Sequence, residues 1–220
     1  RIDGMAAMEE GMLIQIDAFW TIDESLMSDP EHAKTLREDG YGYGLKALND
    51  IFGYAGGDDS VRLLANALKE KLSLLGNYEV VRGRAPPDKM QIFINGPLET
   101  LPSAETIEYF IDSMKGYIDS QLKTGISVRL KASVASTEEL NINDTPGSLF
   151  GLVDIVSESD AVKAEYTDEG NMVKVYDEGQ AVELLQEMTG REFDERLSAA
   201  KNLAAEGKIS IMPILADLAE

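Results

Sequence analysis

The chain has 220 residues, with 20 Lys plus Arg against 40 Asp plus Glu, a formal net charge of -20, no Cys and one His. That balance provides no basic patch for a nucleic-acid backbone or an anionic membrane surface, and the missing cysteines exclude disulfides, thiolate chemistry and Cys-based zinc sites. With His32 the lone histidine, carboxylates are the abundant catalytic-type groups, and the expected partner is a protein, a metal-bound nucleotide or a small molecule.

No apolar run approaches membrane-span length and no signal peptide is seen, which predicts a cytoplasmic domain with no membrane contact by this segment. The opening at Arg1 reads as a fragment of a longer protein. Met5 to Glu10 reads as the end of a helix, and Met12 to Asp17 as a short apolar strand. Thr21 to Gly44 is polar and acidic, with Pro30, Gly40, Gly42 and Gly44, and is read as a long loop. Trp20 beside Phe19 suits core or pocket filling better than a stacking platform.

Leu45, Leu48 and Phe52 recur at helical spacing. Gly53, Gly56 and Gly57 are then expected to break the helix, with Val61, Leu64 and Leu68 restarting one from about Ser60 to Leu75. Asp58 stands where an N-cap is wanted. Tyr78 to Arg82 and Lys89 to Ile94 read as strands joined by a hairpin tip at Gly83 to Asp88. A helix over Ala104 to Leu122 carries Ile107, Phe110, Ile111, Met114 and Ile118 on one face. A strand at Gly125 to Ser136, a helix at Leu149 to Ala164 and a strand at Met172 to Tyr176 follow. This order predicts an α/β (α+β) fold with an antiparallel-rich central sheet flanked by helices. Gln180 to Glu220 reads as two or three amphipathic helices.

The stretch from Leu45 to Lys69 resembles the line "FK-x-I-N-D-x-x-G-H-x-x-G-D-x-x-L" of the GGDEF (diguanylate cyclase) domain of bacterial signalling. Lys46, Asn49, Asp50, Gly53, Gly57 and Asp58 are in register, and Tyr54 stands where the family usually has His. The strand Leu13 to Trp20 falls on "L-x-x-D-I-D-x-F-K", keeping the second Asp as Asp17 and replacing the first by Gln15. Arg84, Ala85, Pro86, Pro87, Asp88, Lys89 and Met90 fall on "R-Y-G-G-D-E-F" in order. The resemblance covers residues 1 to about 178, with an insertion at about 21–44. It implies the palm-like nucleotidyl cyclase fold. Residues 179–220 are then a helical linker or the start of a following domain; Ala205 to Leu218 faintly resembles the opening of an EAL phosphodiesterase domain.

Active members of that family join two GTP molecules into cyclic di-GMP across a dimer, with two metal ions held on carboxylates. Phosphoryl transfer is mostly positioning and charge neutralisation. The metal positions here are Gln15, Asp88 and Lys89, so one anionic ligand of three remains. Pro86 and Pro87 replace glycines, fixing φ at negative values and removing two N–H donors. The phosphate-holding "A-K-x-x-G-R-N" becomes Ala164-Glu-Tyr-Thr-Asp-Glu-Gly-Asn171, acids in place of bases. The product-site "R-x-x-D" is absent at Asn77, Tyr78, Glu79 and Val80. Asn49 and Asp58 keep the amide and carboxylate that read guanine in the family, although helix-end and capping duties alone would account for both.

The resemblance therefore implies a degenerate GGDEF domain without cyclase activity, serving as a regulatory or interaction module toward a protein partner or neighbouring domains. GTP binding through Asn49 and Asp58 stays open, as does a homodimer, and Mg²⁺ enters only with a nucleotide. The alternative is a diverged cyclase or nucleotidyl transferase with Asp17 and Asp88 as its metal pair, since Asp17 shares a strand face with Gln15.

Overall fold

The computed structural model describes residues 10–23, 26, 44–76, 79–81, 89–139, 148–158, 173–177 and 180. Strand β1 (Gly11–Ile22) is followed by helices α1 (Gly44–Phe52) and α2 (Tyr54–Lys71), the latter ending in a 3-10 turn at Leu72–Leu75. Next come strands β2 (Glu79–Val81) and β3 (Lys89–Asn95), helix α3 (Ala104–Gln121), strand β4 (Ile126–Ser136), helix α4 (Ser148–Glu158) and strand β5 (Val173–Tyr176). The order of strands and helices is the one expected from sequence. The five strands lie as β2-β3-β1-β4-β5. All pairs are antiparallel except β4 with β5, which are joined through α4 as a parallel crossover.

Strand alternation divides the sheet into two unlike faces. Ile14, Ile16, Ala18, Trp20 and Ile22 of β1 align with Ile92 and Ile94 of β3 and with Val128, Leu130, Ala132 and Val134 of β4 in one apolar layer. Helix α2 lays Leu64, Ala67 and Leu68 on that layer, and α3 adds Ile107, Phe110, Ile111, Met114 and Ile118, the stripe read from sequence. Full burial of each such side chain is worth about 1.5–3 kcal/mol. The opposite face carries Leu13, Gln15 and Asp17 of β1, and α4 covers it with Leu149, Leu152, Val153 and Val156 buried.

Two expectations change. Strand β1 runs five residues past Asp17, because β4 pairs with it all the way from Met12↔Ser136 to Ile22↔Ile126. The polar loop therefore begins later than Thr21; residues 27–43 lie outside those described. The second correction concerns the glycines. Only Gly53, at φ 73 and ψ 175, separates α1 from α2; Gly56 and Gly57 lie inside α2, and Asp58 is a residue of its body, not an N-cap. The reason is close packing. A Cβ on Gly56 would come 2.5 Å from Phe52 Cβ, so glycine there lets α2 approach α1.

Candidate functional site

The α4-facing side of the sheet is polar at its centre. Gln15 is fully buried, and Gln91, its register partner on β3, donates from Nε2 to its Oε1 at 2.7 Å. Two residues on, Asp17 stands between register partners Lys89 of β3 and Lys131 of β4. Lys89 Nζ lies 3.8 Å from Asp17 Oδ1, and Lys131 Nζ lies 3.5 Å from Asp17 Oδ2. Ser157, near the end of α4, donates from Oγ to Asp17 Oδ2 at 2.5 Å, while its carbonyl accepts from Lys131 Nζ at 2.8 Å. The side chains of Asp17 and Lys131 are only 14% and 7% exposed, which takes this pair out of the weak, screened class of surface ion pairs.

One carboxylate thus ties three strands and the end of α4 together. Lys131, Ser157 and Gln91 did not stand out in the sequence. The polar alternation Ser127, Arg129, Lys131, Ser133 along β4 marked a polar face, but only the docking of α4 buries Lys131 and supplies Ser157.

A divalent cation of the Mg²⁺ type needs oxygen donors with net negative charge. Around Asp17 the charged neighbours are ammonium groups, and Gln15 engages Gln91 instead of facing solvent. Among the described residues no three acidic or histidine groups converge. The donor set around Asp17 does not fit the metal. Asp88, the other half of the expected metal pair, lies outside the described residues, together with Arg84, Ala85, Pro86 and Pro87. Lys89 and Met90 fall at the start of β3 and point to opposite faces, Lys89 toward Asp17 and Met90 against the main core.

Asn49 and Asp58 come from adjacent helices. Asn49 sits one turn before the end of α1, half-buried, and its amide lies against Gly57 of α2, where a Cβ would collide with Asn49 Oδ1. Asp58 is the next residue and is exposed. With capping excluded for Asp58, the amide and carboxylate form an adjacent polar pair whose arrangement depends on glycine at 57. Gly57→Ala would gain roughly 1 kcal/mol of helix propensity but must displace the Asn49 amide. A net loss of about 1–2 kcal/mol in urea unfolding is expected from the overpacking, and it should shrink in the Gly57→Ala/Asn49→Ala double variant.

A cleft of about 340 Å³ opens elsewhere on the same helices, lined by the apolar Leu48, Phe52, Leu63, Leu122 and Ile126 together with Arg62 and Lys123. Neither Asn49 nor Asp58 lines it.

No protein-family model matches the chain, and no curated protein matches it either. Among solved structures, a truncated form of PA1120 (TpbB or YfiN) from Pseudomonas aeruginosa comprising only the GGDEF domain is similar, with 17% identity over 80% of this chain and 83% of that one and a TM-score of 0.42. The chain is similar to a GGDEF domain. Among the described residues no helix is long and apolar enough to cross a membrane.

Proposed function

We propose that this chain is a GGDEF-type regulatory or interaction domain of a cyclic di-GMP-type signalling protein, cytoplasmic and without cyclase activity. The observation that carries the reading is the environment of Asp17. Catalysis of phosphoryl transfer needs metal-held charge neutralisation at the reacting phosphates. Here the strand carboxylate is engaged by Lys89, Lys131 and Ser157, and the neighbouring position is the buried amide Gln15. A carboxylate so engaged would have to break its ion pairs before it could ligate a metal. The partner is a protein or a neighbouring domain.

Guanine-nucleotide binding is the second part of the proposal, and the adjacency of Asn49 and Asp58 across Gly57 favours it. Calorimetric titration of GTP with and without Mg²⁺ tests it. Binding that is lost in Asp58→Ala and indifferent to Mg²⁺ is expected; no heat at millimolar GTP would leave a domain kept for its surfaces alone. Incubation with GTP and Mg²⁺ is expected to yield no cyclic di-GMP, and turnover above the no-protein control would overturn the inactive reading.

A further inference from the structure

The cleft beside Leu48 and Phe52 gathers residues of α1, α2, α3 and β4 around one space, apart from the Asp17 cluster and from Asn49 and Asp58. Phe52 is 38% exposed, so the fold leaves an aromatic ring of its lining partly uncovered. Gly56 also lines the cleft and contributes no side chain to fill it.

Its size and surroundings point to a small molecule. A volume of about 340 Å³ falls within the range of small-molecule sites, which combine an apolar lining with a few polar groups. A stable protein interface needs on the order of 1,000 Å² of buried surface. The apolar surface does not extend that far here: among the described residues, the other exposed large apolar side chains, Leu26, Tyr54, Leu74 and Tyr109, are not part of the lining.

The charges specify the ligand further. Asp59, Arg62 and Lys123 are the charged residues of the lining, and Asp59 pairs with Arg62 at 2.7 Å. Lys123 makes no ion pair among the described residues, so its ammonium is the open charge of the cleft. On a chain of net charge -20 this is a local excess of positive charge. A cationic ligand would meet Lys123 and find the single carboxylate already engaged, whereas an anionic one finds an available partner. The amides of Asn66 and Gln121 add N–H groups to the same lining.

We infer that this cleft binds a short amphipathic carboxylate, with its apolar body against Phe52, Leu63 and Ile126 and its carboxylate on Lys123.

Sodium octanoate titrated into the whole chain, labelled at its Leu and Ile methyl groups, tests this by NMR. Saturable shifts at the Leu63, Leu122 and Ile126 methyls are expected, and octan-1-ol, equal in chain length but uncharged, should bind more weakly. Lys123→Glu is expected to weaken octanoate roughly fivefold, the scale of one exposed ion pair removed and reversed, and Lys123→Arg to retain it. Absence of shifts at these methyls with millimolar octanoate would overturn the site. Equal affinity of the parent protein for octanoate and octan-1-ol would overturn the carboxylate as ligand. That comparison needs no variant, so it decides even where Lys123→Glu fails to fold.

Discussion

Asp17→Ala is expected to destabilise the domain by about 3 kcal/mol, at the low end of the range for breaking a buried charge pair because Asp17 keeps some exposure. The substitution removes an acceptor shared by two ammonium groups and the Ser157 hydroxyl, and it leaves Lys131 buried without that carboxylate. Asp17→Asn keeps the shape and can still accept from Ser157, so its loss should be smaller. Urea denaturation at low and high salt measures both, and the effect should change little with salt because a buried pair is poorly screened. The sign separates the readings. A carboxylate held ready for a metal among other acids would be relieved by neutralisation, and Asp17→Asn would then stabilise the metal-free protein. Parent-like stability of Asp17→Ala would show that the Lys89 and Lys131 pairs contribute nothing.

Trp20→Ala should cost more, about 3–5 kcal/mol, by the transfer and cavity terms that follow large-to-small changes in a packed core. Trp20 is 1% exposed, in the apolar layer between the sheet and the helices of the main core. As the single tryptophan it reports on its own environment. Emission at short wavelength, little quenching by acrylamide and a red shift at the unfolding midpoint are expected. Ready quenching in the folded protein would instead place the indole at a surface, as a stacking platform requires.

Trp20, read as core filling, illustrates where reading the sequence succeeds. The apolar run from Met12 to Asp17 and the helical stripe from Ile107 to Ile118 are local properties. A helix turns one face to the core whatever it packs against, so the core residues of α3 were recognisable before any contact was known. Glycines were less legible. Gly53, Gly56 and Gly57 have the same side chain, and as breakers they looked alike; only Gly53 adopts a positive φ, while the other two make room for α1 inside a continuous helix. Asp58 was misplaced as a cap for the same reason.

The sequence alone determined the order of strands and helices, the apolar layer, and the replacement of the resembled family's acidic and glycine positions by Gln15, Pro86, Pro87 and Lys89. The tertiary structure decided what Gln15 and Lys89 do. Gln15 finds Gln91 from β3, and Asp17 finds Lys89 from β3, Lys131 from β4 and Ser157 from α4, partners separated from it by 72 to 140 positions in the chain. Hydrophobic periodicity is written residue by residue, whereas the fate of a buried charge depends on which distant groups the strand register sets beside it.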